Sequence, residues 1–198
     1  MFCKTKPRSS SSSRRTPSST HVSNAAGYSA QDLGMIASRN VTFTMRGGSD
    51  RHKIYLGDAR VFEAEPQASF GLPSFALYSS KGKLLAYAKR CSRWYSSSSK
   101  WEVRLGGKHG VPIANITHAG TWWVKLMKDN ETDRLRIDNP CACCTSIPII
   151  KNGAAVAQIA RKQRMGTSRF TLLVRKGEHV WVLLLLCSLV KRMMEDNL

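Results

Sequence analysis

Acidic residues are scarce in this sequence of 198 residues, which holds 13 Asp and Glu against 31 Lys and Arg. The formal net charge is +18, and a chain this basic is expected to meet polyanionic partners such as acidic lipid head groups or nucleic acid. Catalytic signatures are also absent, because the sequence contains no G-x-S-x-G, Walker or G-x-G-x-x-G phrase and no HExxH-like histidine spacing. We therefore expect a binding protein without a cofactor or metal, and not an enzyme.

The first part of the chain lacks the apolar segment that a secretory signal needs. Residues 1–35 are instead rich in Ser and basic residues, and we expect a disordered tail there, followed by one domain over residues 36–198. An organelle transit peptide is the alternative interpretation of the tail, because it is rich in Arg and Ser and poor in acids. We expect a monomer that is cytoplasmic and peripheral to membranes, with the nucleus or an organelle as alternatives.

Only one long apolar run occurs, over residues 177–194 at the end of the sequence. Within residues 180–190 every position except Ser188 is apolar, so a helix here must be enclosed on all sides. At about 1.5 Å per residue, residues 177–190 reach only about 21 Å, against about 30 Å of hydrocarbon in a bilayer. We predict a buried core helix, with a membrane-inserted segment and a buried strand as the alternatives.

Short apolar segments separated by turn residues precede this run. They recur at roughly 8 to 12 residues with Gly, Pro, Ser or Asn-Gly between them, which predicts strands and not helices. The predicted strands cover residues 41–46, 52–65 with a break at Gly57-Asp58, 75–78, 84–89, 101–105, 111–118, 121–127, 135–137, 145–150, 155–160 and 170–174. About a dozen such segments are typical of an all-β sandwich or barrel.

One phrase, consisting of Gly, two residues, an aliphatic residue and Ala, begins at Gly82, Gly110 and Gly153. Each glycine is expected in a hairpin turn, and each alanine leaves room for a helix beside its strand. With the dozen strands and the terminal apolar helix, these phrases resemble the tubby C-terminal-like superfamily of tubby proteins, plant LURP-one-related proteins and phospholipid scramblases. The resemblance implies a mainly β fold over residues 36–198, an antiparallel barrel of about twelve strands around its C-terminal helix.

Basic residues concentrate in two predicted loops, and in the first they stand beside the aromatic residues Trp94 and Tyr95. Cations next to interfacial aromatics suit an anionic phospholipid head group, with a phosphoinositide as a special case. The candidate lipid- or phosphate-binding residues are Lys89, Arg90, Arg93, Lys100, Arg161, Lys162, Arg164 and Arg169. The alternatives are solvated strand ends, a nucleic-acid site, or a module that binds another protein.

Six cysteines without framework spacing predict a reducing compartment. The densest group is Cys141, Cys143 and Cys144, which we interpret as a possible acylation site that would add a membrane anchor. A plain half-buried loop and a zinc site are the alternatives. Structural zinc needs four ligands, and no second Cys pair lies nearby.

Overall fold

The computed structural model describes residues 35–47, 51–69, 72–92, 98–127, 134–138, 144–164 and 167–196, without the side chains at 68, 69, 72, 73, 163, 164, 167, 168 and 196. Residues 1–34 lie outside this part, so the disordered tail stays a prediction. The described chain contains β1 (Val41–Arg46), β2 (His52–Leu56), β3 (Ala59–Ser69), β4 (Leu72–Ser79), β5 (Leu84–Arg90), β6 (Ser99–Leu105), β7 (Pro112–Ala119), β8 (Thr121–Leu126), β9 (Arg134–Ile137), β10 (Ser146–Lys151), β11 (Ala154–Arg164), β12 (Thr167–Val174) and α1 (Val180–Asp196). The predicted strands are confirmed.

The twelve strands form a closed antiparallel barrel. Each strand pairs with its neighbours in the sequence, and β1 pairs with β12 to close the sheet, with Val41 opposite Val174. Every described strand pairs with a neighbour on both sides, although β9 and β10 share only two residue pairs. This pairing reduces the strand edge to which a further strand could add. The mainly β barrel predicted from the sequence is confirmed.

Helix α1 fills the barrel. It begins at Val180 instead of Gly177 and ends at Asp196 instead of Met194, and its side chains from Val182 to Val190 are all buried. Apart from Ser188, they belong to one apolar cluster with the inward-facing residues of the strands. Because successive strand residues alternate between the two faces of a sheet, each strand supplies every second side chain to this core. The prediction of a buried core helix is confirmed.

The alanines of the repeated phrase, Ala86, Ala114 and Ala157, are buried in the same cluster as the helix side chains. Glycine is favoured at two of the phrase's turn positions for different reasons. Gly153 has a φ of 80° in the turn before β11, a conformation that glycine adopts without steric cost. Gly110 has no positive φ, but a Cβ there would collide with the carbonyl oxygen of Leu105. The predicted hairpin turns are therefore present, and glycine suits them either because φ is positive or because a Cβ would have no room.

The antiparallel order sorts the connections onto two ends of the barrel. One end, which we call the helix-entry end because the helix begins there, carries the β2–β3, β4–β5, β6–β7, β8–β9, β10–β11 and β12–α1 connections. The other six hairpin connections lie at the opposite end, which we call the helix-exit end because the C-terminal residues of α1 reach it. Lys191 and Arg192 lie there beside Phe170 and Phe75, residues near the N-terminal ends of β12 and β4.

Candidate functional site

Both predicted basic loops lie at the helix-exit end. One joins β5 to β6 and the other joins β11 to β12. Around the closed barrel, the strands β7 to β10 separate them on one side and β4 to β1 on the other, which is four strands in each direction. The strand ends that flank the two loops therefore lie on opposite sides of the same end of the barrel.

The first loop divides its cations between two faces. Lys89 and Lys100 are exposed and point outward. Arg90 is half-buried, and its guanidinium donates hydrogen bonds to the hydroxyls of Ser92 (3.3 Å) and Ser99 (3.2 Å). Arg93 lies outside the described residues. Of the members of this set that the structure describes, Lys89 and Lys100 are the exposed ones.

The second loop shows the same division. Lys162 and Arg169 stand opposite each other on β11 and β12, and both are exposed. Arg161 is only 7% exposed, because it follows the inward positions of β11, and its guanidinium carbon lies 5.9 Å from the centre of the Phe170 ring. The side chain of Arg161 is therefore turned away from solvent, unlike those of Lys162 and Arg169. The side chain of Arg164 lies outside the described residues.

The C-terminal part of α1 adds charge inside this end. Lys191 is completely buried, and its ammonium donates to both carboxylate oxygens of Glu195 at 2.7 Å. Its nitrogen lies 5.8 Å from the centre of the same Phe170 ring that Arg161 approaches. Buried Arg161 and Lys191 thus converge on one aromatic side chain behind the exposed rim.

The barrel wall next to the first loop carries a groove that sequence reasoning missed. Its volume is about 400 Å³, and we call it the outer groove. Its lining includes Lys100, Glu102, Asn115, Thr117, Trp123 and Lys125. These residues come from three strands, so only the register between the strands brings them together. The sequence signal that could have pointed to the groove is the alternation along β8, which turns Trp123 and Lys125 outward.

The described cysteines separate into two states. Cys144 is disulfide-bonded, whereas Cys91 and Cys187 carry free thiols. A disulfide sulfur has no thiolate to accept an acyl group, so acylation of Cys144 is excluded in this state. Cys141 and Cys143 lie outside the described residues. Cys187 is enclosed in the core, and burial raises the pKa of its thiol to about 12, as expected for an inert structural cysteine.

No three His, Cys, Asp or Glu side chains form a group suited to a metal ion in the described part of the chain. One histidine nevertheless has a shifted pKa. His118 packs against Trp122 with ring centres 4.5 Å apart, and burial lowers the pKa of His118 below its ordinary value of 6.5. The folded state therefore favours the neutral imidazole.

This shift predicts a pH dependence of stability. Because the folded pKa of His118 is below the unfolded one, its contribution is fully present above pH 6.5 and is lost as the pH falls through the folded pKa. We expect the melting temperature to fall between about pH 7.5 and about pH 5.5, and to fall less in His118→Gln. Thermal melts followed by circular dichroism test this, and equal slopes in both proteins would contradict it.

Fold and site together define a class, that of closed twelve-stranded antiparallel barrels built around a C-terminal helix. The chain is similar to the X-ray structure of a protein from Arabidopsis thaliana, AT5G01750, with a TM-score of 0.60 and 17% sequence identity over 83% of this chain and 95% of that chain. At this identity the likeness shows the fold alone. No family model matches the chain, and neither does any curated protein. Among the described helices, none combines the length and apolarity that crossing a bilayer requires.

Proposed function

We propose that this chain is a non-enzymatic tubby-like module that binds anionic phospholipid head groups, phosphoinositides among them, at a membrane surface. The observation that supports this is the placement of two basic loops at one end of the barrel. Lys89 and Lys100 on one side and Lys162 and Arg169 on the other are exposed, so one flat anionic surface would meet both pairs. Arg90 and Arg161 are turned inward and are left out of the contact surface.

The fold likeness supports the same assignment in a coarser way. A barrel filled by its terminal helix is the architecture that the resemblance to tubby, LURP-one-related and scramblase proteins implies, and the Arabidopsis structure shares the fold over most of both chains. A rigid barrel also suits surface binding, because its rim charges are held in place without a folding step on contact.

Charge alone does not select this end, because the helix-entry end also carries exposed cations. Four of them are Lys83, Lys108, Arg175 and Lys176. This distribution provides a control variant in which the same number of charges is removed from the opposite end of the same barrel.

Neutralising Lys89, Lys100, Lys162 and Arg169 to Gln is expected to weaken binding to vesicles containing phosphatidylserine or a phosphoinositide by roughly 10² to 10³. Each cation near an acidic membrane contributes about 1 kcal/mol, so four contribute about 4 kcal/mol. Vesicle co-sedimentation at physiological salt measures the effect, with neutral phosphatidylcholine vesicles as the lipid control. All four side chains are exposed, so the melting temperature should stay unchanged.

The quadruple variant at the helix-entry end, with Lys83, Lys108, Arg175 and Lys176 changed to Gln, should bind nearly as well as the wild type. Equal losses in the two variants would mean that net charge and not one end of the barrel drives the binding. Undiminished binding in both, or no preference of the wild type for anionic vesicles, would reject the proposed function.

A further inference from the structure

The outer groove is a concave surface on the barrel wall that adjoins the rim used by the proposed function and shares Lys100 with it. Strand register places Lys100 opposite Thr117, Thr117 opposite Trp123, and Trp123 opposite Arg136. At about 4.8 Å between neighbouring strands, this row spans about 14 Å with a cation at each end and an indole between them. The parallel row beside it contains Asn115 and Lys125.

The groove has a positive balance of charge. Lys100 and Lys125 line it, and its one carboxylate, that of Glu102, already accepts a hydrogen bond from the guanidinium of Arg104. Arg136, at the end of the row, is paired with Asp138 at 3.1 Å, so it contributes less. The two lysines are therefore the groups best placed to meet an anionic ligand.

Trp123 is the feature that charge alone does not explain. It is 43% exposed although it lies within a strand, and its neighbours in the row are polar or charged. A tryptophan on a loop tip could enter a bilayer, but this indole lines a concave part of the wall. Its position suits a flat ring that stacks on it from outside.

The size and shape of the groove narrow the class of ligand. A volume of about 400 Å³ falls within the range of roughly 300 to 1,000 Å³ typical of small-ligand sites. Strands β6, β7 and β8, which line the groove, are each paired on both edges, so the groove offers no open strand edge to which an extended acidic peptide could add. An aromatic platform flanked by cations is the arrangement that holds bases and phosphates of single-stranded nucleic acids.

We propose that the outer groove binds a nucleotide, either free or as a unit of a single-stranded nucleic acid. The base stacks on the indole of Trp123, and the phosphate contacts the ammonium groups of Lys100 and Lys125. The side chains of Asn115 and Thr117 lie in the same lining and offer hydrogen bonds to the sugar or base. This site goes beyond the proposed lipid function, and it shares only Lys100 with the proposed lipid-binding residues.

The test uses the full chain and a fluorescein-labelled oligothymidylate of about a dozen nucleotides, measured by fluorescence anisotropy. Trp123→Ala is expected to weaken binding about 5- to 100-fold, because stacking of one base on an aromatic ring carries that much affinity. Trp123→Phe, which keeps an aromatic ring, should recover most of the loss. Recovery by Phe separates stacking from a general structural effect of the substitution.

A charge variant covers the case in which Trp123→Ala fails to fold. Lys100→Gln with Lys125→Gln should make the negative slope of log affinity against log salt shallower by roughly 1.4. Each phosphate contact contributes about 0.7 to the magnitude of that slope for single strands. The matched control, Arg175→Gln with Lys176→Gln, removes the same charge from exposed positions at the helix-entry end, outside both proposed sites. It should leave the affinity within about threefold of the wild type.

Competition identifies the source of the nucleotide. Displacement of the oligonucleotide by free thymidine monophosphate assigns the groove to free nucleotides. If thymidine monophosphate does not displace it and Trp123→Ala still weakens oligonucleotide binding, the groove is assigned to single strands. Both outcomes support the proposal. Equal affinity for inorganic polyphosphate of similar length overturns it. Equal losses of oligonucleotide affinity in the Lys100 and Lys125 double variant and in the Arg175 and Lys176 control also overturn it. Loss of vesicle binding in Trp123→Ala with oligonucleotide binding unchanged also overturns it, because the indole then serves the lipid surface.

Discussion

A chain that ends before Gly177 is expected to have no cooperative unfolding transition. Truncation removes the side chains from Val182 to Val190, which are buried inside the barrel, and their burial stabilises by about 1.5 to 3 kcal/mol for each large one. Their sum exceeds the total stability of a typical domain, about 5 to 15 kcal/mol. The inward residues of twelve strands would also lose the surface against which they pack. Differential scanning calorimetry of the truncated protein measures this, and a sharp transition would contradict it.

A single substitution tests the same dependence without shortening the chain. Leu184→Asp places a carboxylate at a position with no exposed area, where burial of an unpaired charge costs several kcal/mol. Leu173→Asp is the matched control, because Leu173 lies on the outer face of β12 and is 37% exposed. We expect the free energy of unfolding of the control to lie within about 1 kcal/mol of the wild-type value. Leu184→Asp should be unfolded or strongly destabilised. Equal stability of the two variants would mean that the helix is not held in the core.

Strands and helix could be predicted from sequence because each leaves a local pattern. Polar and apolar residues alternate along β8 and β9, and the uniformly apolar run of α1 requires enclosure on every side. Strand ends were less certain, since β11 continues to Arg164, four residues beyond its predicted end at Ala160. Its last residues are basic, and they extend the sheet by pairing with β12, a long-range contact that local composition does not encode.

The candidate site was predictable only in part. Antiparallel connectivity places both basic loops at one end as soon as a barrel with single-hairpin connections is assumed. The inward orientation of Arg161 follows from the alternation that buries Ala157 and Ile159, so this orientation could be predicted from the sequence. The outer groove could not be predicted, because Lys100 and Trp123 come into one row, on either side of Thr117, only through the register of three strands.

The ion pair at the end of α1 leads to a second prediction of large effect. Lys191 has no exposed area, and the carboxylate of Glu195, whose side chain is 22% exposed, accepts two hydrogen bonds from its ammonium at 2.7 Å. Glu195→Gln keeps one acceptor oxygen but removes the compensating charge. Because a buried charge without its counter-charge is costly, we expect the free energy of unfolding to fall by about 1 to 3 kcal/mol.

The complementary variant should behave differently, because a buried ion pair is often no more stabilising than apolar side chains of similar size. Lys191→Met with Glu195→Gln removes both charges and keeps the length of the buried chain, so we expect a stability close to that of the wild type. Arg136→Gln, which breaks an exposed pair with Asp138, should cost less than about 1 kcal/mol. Urea denaturation of the three variants gives the comparison. A double variant less stable than Glu195→Gln alone would show that the charge of Lys191 itself holds the helix-exit end together through Arg161, Phe170 and their neighbours.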